Sequence, residues 1–129
     1  MQLREHGITT SINPQYDASE SWSGIKDIAP FLTLFICHEA ELINCIAAPN
    51  GTVHRNLLSA ASAAETLLQW GALLVVVTRG SLGASVFSLD KNTGELSEVF
   101  ESSVVLDVSS VHSLVFLYSI EQINIFFNK

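Results

Sequence analysis

Six residues at the end of an apolar run, Thr78-Arg79-Gly80-Ser81-Leu82-Gly83, place a hydroxyl at the mouth of a loop that keeps two glycines three positions apart. Glycine lets a backbone approach a ligand closely and take dihedrals closed to other residues. Such a loop at a strand end can turn main-chain N–H groups toward the oxygens of a phosphate. An ordinary strand-to-strand turn uses the same residue types. No Gly-Lys-Ser/Thr follows, which excludes a Walker A loop. A second set, His38, Glu39 and Glu41, follows another apolar run, "FLTLFIC". Imidazole and carboxylate groups there can orient a phosphate or a cation. A strand-end histidine without a special role, and a solvated carboxylate that complements a helix dipole, are the plainer readings.

Both sets need strands to carry them. "GITTSI" reads as a short strand ended by the Asn-Pro turn signal of "NPQYD". Ser21 or Ser23 then caps a helix through Trp22, Ile25, Ile28 and Ala29, closed or bent by Pro30. "FLTLFIC" suits the centre of a parallel sheet, buried on both sides. "EAELINCI" has helical composition with acidic residues in its first turn, and "APNGT" breaks it. Thr52 or His54 precedes the longest helical pattern, with Leu57, Ala61, Ala64 and Leu68 along one face and Gly71 as its stop. "ALLVVVT" is the clearest strand; "ASVFSL", the turn "DKNTGE", "LSEVFE" and "VVLDV" continue the sheet. Strand alternating with helix is the grammar of an α/β fold with right-handed crossovers. In such sheets ligands bind beyond the carboxyl ends of the parallel strands, where both candidate sets fall.

Composition narrows the partners. A chain of 129 residues is the size of one domain, and 48% hydrophobic against 15% charged residues describes an interior-rich sequence. Thirteen acidic and six scattered basic residues give a net charge of −7, which argues against nucleic acid, since that partner needs clustered positive charge. Cys37 and Cys45 lack metal-ligand spacing and read as reduced, buried thiols of a cytoplasmic protein. "MQLREHGITTS" has no apolar signal region, and the apolar stretch from Val111 to Phe127 is interrupted by Glu121, Gln122 and Asn124. No membrane span is expected.

"GITTSINPQYD", "LTLFICHEAEL" and "GALLVVVTRGSLGASVF", in this order and at these separations, resemble the C-terminal half of PfkB-type carbohydrate kinases of the ribokinase-like superfamily. There the second block usually reads Asn-x-x-Glu and the third Thr-x-Gly-x-x-Gly. The resemblance implies a partial ribokinase-like (Rossmann-like) three-layer α/β fold with a mostly parallel sheet over residues 1–109, followed by a divergent apolar tail, 110–129. It implies ATP and Mg²⁺ as cofactors, with Thr78, Arg79, Gly80, Ser81, Leu82 and Gly83 as the ATP loop, and His38 where the family has asparagine. Glu41 takes the place of the glutamate that acts through water on Mg²⁺. Ser11 stands where relatives often carry aspartate.

The resemblance breaks at the family's Asp-Thr-x-Gly-Ala-Gly-Asp signature. Asp107 and Ser109 match its start, but Ser113 falls where the catalytic base belongs, and a serine hydroxyl accepts no proton at neutral pH. The expectation is therefore a fragment of an ATP-dependent sugar or nucleoside kinase, truncated or an alternative isoform, with no catalytic residue of its own and little or no phosphotransfer as this chain. The alternative is a non-catalytic α/β module that binds a protein partner, or a second copy as a homo-oligomer, through its tail or open sheet edge.

Overall fold

The computed structural model describes residues 3–15, 17–19, 21–47 and 55–102. Among the described residues five strands form one sheet in the order β1-β2-β3-β4-β5: β1 Ser11–Ile12, β2 Leu34–His38, β3 Leu74–Thr78, β4 Ala84–Leu89 and β5 Leu96–Glu101. β1, β2 and β3 run parallel, and β3, β4 and β5 alternate in direction. The helices α1 Ile25–Ile28, α2 Glu39–Ala47 and α3 Ala60–Gln69 punctuate the parallel part. The α/β class is as expected. "DKNTGE" closes the β4–β5 hairpin, where the Asp90 carboxylate accepts the N–H groups of Asn92 and Thr93 at 2.7 and 2.8 Å.

Alternation along the strands sends Phe35, Cys37, Val75, Val77 and Phe87 to one face, where Leu42, Cys45 and Ile46 of α2 and Ala63, Ala64 and Leu67 of α3 meet them. Each fully buried large side chain here contributes about 1.5–3 kcal/mol. On the opposite face Leu74, Val76 and Val86 form a smaller cluster with Leu34 and Ile36. Among the described residues the helices thus cover one face of the sheet. β3 is buried on both sides, but Leu34 and Ile36 leave β2 half-buried on its second face, less enclosed than its apolar run implies.

Two helix starts differ from expectation. α3 begins at Ala60 because Ser59 and Ser62 cap it reciprocally: Ser62 N–H donates to Ser59 Oγ at 3.1 Å, and Ser59 N–H to Ser62 Oγ at 2.9 Å. Leu57 consequently lies in a separate single turn, Arg55–Leu57, and is 79% exposed rather than on the buried stripe. Thr52 and His54 fall outside the described residues. α1 is a single turn whose N-cap is Gly24 at φ +88, with no side-chain cap from Ser21 or Ser23. Pro30 does not end the path; it sits inside a following tight turn, Ala29–Phe31. Gly71, as expected of a C′ glycine, stands just past the C-cap Trp70 of α3, with its N–H on Leu68 O at 3.0 Å. Its φ of +117 and a Pro30 Cα only 2.8 Å from any added Cβ make glycine the residue that fits.

Asp17 organises the segment between β1 and α1. Its Oδ1 accepts from Ser19 N–H at 2.9 Å and Ser19 Oγ at 2.7 Å; its Oδ2 accepts from Trp22 N–H at 2.8 Å and Ser21 Oγ at 3.2 Å. The bound Trp22 is buried at φ +48, uncommon for a large side chain. These hydrogen bonds, the Ser19 hydroxyl's foremost, lower the Asp17 pKa from 3.8 to about 2. Because the folded value lies below the unfolded one, the carboxylate's stabilising contribution is complete above the unfolded value and is lost as pH falls toward the folded one. Urea unfolding of Asp17→Asn should therefore show a flatter loss of stability than the parent chain between about pH 4 and pH 2; equal slopes would contradict this role.

Candidate functional site

The parallel pairing of β2 with β3 sets His38 directly opposite Thr78, so the last residues of the two strands emerge side by side. Alternation turns both toward the face away from α2 and α3. Thr78 Oγ1 lies 2.9 Å from His38 Nδ1 and 3.3 Å from Cys37 O. A hydroxyl has one proton, so both contacts are made together when Thr78 donates to Cys37 O and a protonated Nδ1 donates to Thr78 Oγ1. Glu41, in the first turn of α2, folds its carboxylate back so that Oε2 accepts the His38 N–H at 2.9 Å. This is the returning half of a capping box, and it holds the carboxylate at the strand end.

Beyond Thr78, the chain turns through Gly80–Leu82 and enters β4 at Ala84. The loop is closed by its own backbone: Arg79 N–H donates to Gly83 O at 2.8 Å, Leu82 N–H to Arg79 O at 3.1 Å and Gly83 N–H to Gly80 O at 3.3 Å. Three amides are thereby occupied. The Gly80 amide donates to no acceptor among the described residues. Gly80 takes φ +56 with open space where a side chain would stand, and Ser81 and Leu82 are exposed. The loop is open at its tip and firmly seated at its base.

The base contains a feature that the sequence reading did not find. Arg79, expected only as a backbone contributor, sends its side chain to the helix face: Nε lies 3.4 Å from Glu39 Oε2, Nη2 lies 3.8 Å from Glu98 Oε1, and the guanidinium stands 6.0 Å from the centre of the Phe100 ring. Glu98 Oε1 also accepts from the fully buried Ser85 hydroxyl at 2.7 Å. Arg79 Nε is screened from solvent and, despite Glu39 nearby, out of line for a hydrogen bond. The signal existed in the alternation of "LSEVFE", but only the β4–β5 register brings Glu98 to Arg79.

Of the predicted site residues, His38, Glu41 and Thr78 through Gly83 converge on one end of the parallel strands. Asp107, Ser109, Ser113 and the 109/110 boundary lie outside the described residues. Cys37 and Cys45 are free and buried; burial pushes Cys45 up to about 12 and Cys37 well above the usual thiol range, which leaves both thiols protonated and unreactive at neutral pH. Among the described residues no three His, Cys, Asp or Glu gather as a metal site, and no helix is long and apolar enough to cross a membrane. A single carboxylate such as Glu41 fits a Mg²⁺ held chiefly by substrate phosphates and water. A groove of about 550 Å³, with Leu73, Leu74, Leu89 and Lys91 among its walls, lies at the other end of β3, away from this chemistry.

No protein-family model matches the sequence, and no curated protein matches it. Solved structures do. A ribokinase of Thermotoga maritima superposes with a TM-score of 0.53 at 21% identity, over 75% of this chain and 29% of its own. A protein described as a ribokinase II of Escherichia coli, in complex with ATP and Mg²⁺, gives 0.54 at 19% identity, over 79% and 30%. The fold is ribokinase-like. A pyridoxal kinase of Bacillus subtilis, in complex with ADP, shares this ribokinase-like arrangement at a TM-score of 0.51 and 17% identity, over 80% of this chain and 40% of its own. The chain thus spans between 29% and 40% of these kinases' lengths.

Gly83 shows how tightly the loop is seated. It adopts φ +116, and an added Cβ would stand 1.9 Å from Glu101 O. Gly83→Ala should lower stability by about 2 kcal/mol or more, through backbone strain and displacement of the end of β5; a denaturation midpoint equal to the parent's would contradict the close approach.

Proposed function

We propose that this chain carries the nucleotide-phosphate cradle of an ATP-dependent kinase that transfers a phosphoryl group to the hydroxymethyl group of a sugar or nucleoside, and that by itself it binds Mg·ATP without appreciable transfer. The observation that carries this reading is the His38–Thr78 pair, in register at the strand ends, beside an exposed loop whose Gly80 amide faces no acceptor among the described residues. The ATP–Mg²⁺ and ADP complexes of the E. coli and B. subtilis structures support a nucleotide as the ligand of this fold.

In this reading the Gly80 N–H meets one phosphate oxygen and the Thr78 hydroxyl, turning its proton away from Cys37 O, meets another; His38 adds an imidazole where the family resemblance calls for an amide, and Glu41 orients water on the accompanying Mg²⁺. Arg79, Ser81, Leu82 and Gly83 shape the cradle. The cation supplies charge neutralisation at the phosphates. Absence of a general base lowers transfer about 10²–10⁴-fold. Reduced Cys37 and Cys45 suit a cytoplasmic protein.

Thermal unfolding in Mg·ATP is the test. A ligand that binds the folded chain raises its stability by mass action, about 2.7 kcal/mol at one hundred times Kd. The melting temperature should rise at millimolar Mg·ATP in the parent chain, and the rise should be lost or much reduced in Thr78→Val. No rise in the parent chain would overturn the reading.

A further inference from the structure

We propose that Arg79 is the positioning residue of the nucleotide loop: its side chain clamps the loop between the first turn of α2 and strand β5, holding the tip open without touching the ligand. The backbone of Arg79 is where the loop closes on itself, since its N–H reaches Gly83 O and its carbonyl receives Leu82 N–H. Its side chain is four-fifths buried, beside Glu39 on one flank and Glu98 on the other, over the Phe100 ring. The loop is therefore pinned at both ends to β5: by Arg79 through Glu98, and by Gly83 against the Glu101 carbonyl. Through Glu39 the same guanidinium joins the loop to the helix that carries Glu41. A planar guanidinium can face two carboxylates and an aromatic ring at once, which an ammonium cannot match.

A second role for the same side chain predicts the opposite behaviour. If Glu39 and Glu98 merely kept Arg79 in reserve as a direct phosphate ligand, weakening that hold would tighten nucleotide binding. A clamp predicts weaker binding.

Hydrogen exchange on the ligand-free chain tests the clamp without assuming the kinase reading. In Arg79→Met the amides of position 79, Leu82 and Gly83 should exchange at least about tenfold faster than in the parent chain. Arg79→Lys should restore part of the protection, and amides of α3 should be unchanged. Unchanged loop exchange, or equal acceleration throughout the chain, would overturn the proposal. The second arm rests on the proposed nucleotide site and uses a fluorescent ATP analogue with Mg²⁺. Glu98→Gln keeps an acceptor for Ser85 but removes the charge; it should weaken binding several-fold, and tighter binding would overturn the clamp. A parent chain that binds no analogue defeats the nucleotide reading, while the exchange result still decides the clamp.

Discussion

The parallel pairing of β2 with β3 is the constraint on which the remaining arrangement depends. Its register, running from Leu34 opposite Leu74 to His38 opposite Thr78, brings two strands separated by two helices to a common end. A slip of one residue would turn His38 or Thr78 toward the helix face and bring Cys37 or Val77 outward. Both faces resist that slip. Phe35, Cys37, Val75 and Val77 are buried against α2 and α3, and Leu74 and Val76 are buried behind them. The polar groups at the strand ends inherit their positions from this apolar register. The Thr78–His38 and Glu41–His38 hydrogen bonds then refine those positions.

The order of elements was legible because their signals are local. "LLVVVT" reads as a strand from its β-branched residues, "DKNTGE" as a turn from its Asp, Asn and Gly, and Gly71 as a helix stop from the absence of a side chain. Helix starts were less legible where the decisive signal was a pair of serines. Ser59 and Ser62 cap α3 reciprocally, and their cap outweighs the apolar periodicity that would have included Leu57. In α1 a left-handed Gly24 replaces the expected serine cap. The position of the candidate residues at the strand ends followed from the general place of ligands in α/β sheets. The ion pairs of Arg79 did not, because they join residues from three elements and require the antiparallel register of β4 and β5.

In the proposed function the loop combines two demands that pull against each other. Phosphate recognition by main-chain N–H groups needs an open tip, and an open tip has few contacts to hold it. Here Ser81 and Leu82 at the tip are exposed, whereas Arg79 and Gly83 at its ends are tied into the sheet by charge, by backbone hydrogen bonds and by close approach to Glu101. Rigidity at the base lowers the ordering that binding would otherwise require.

Amide NMR spectra of the ¹⁵N-labelled chain, recorded as Mg·ATP is added, test the central claim most directly. The account predicts progressive shifts concentrated at His38, Thr78, Gly80 and Ser81, with the far end of β3 unaffected. Shifts centred instead on Leu73, Leu89 and Lys91, or none at any residue up to millimolar nucleotide, would contradict it.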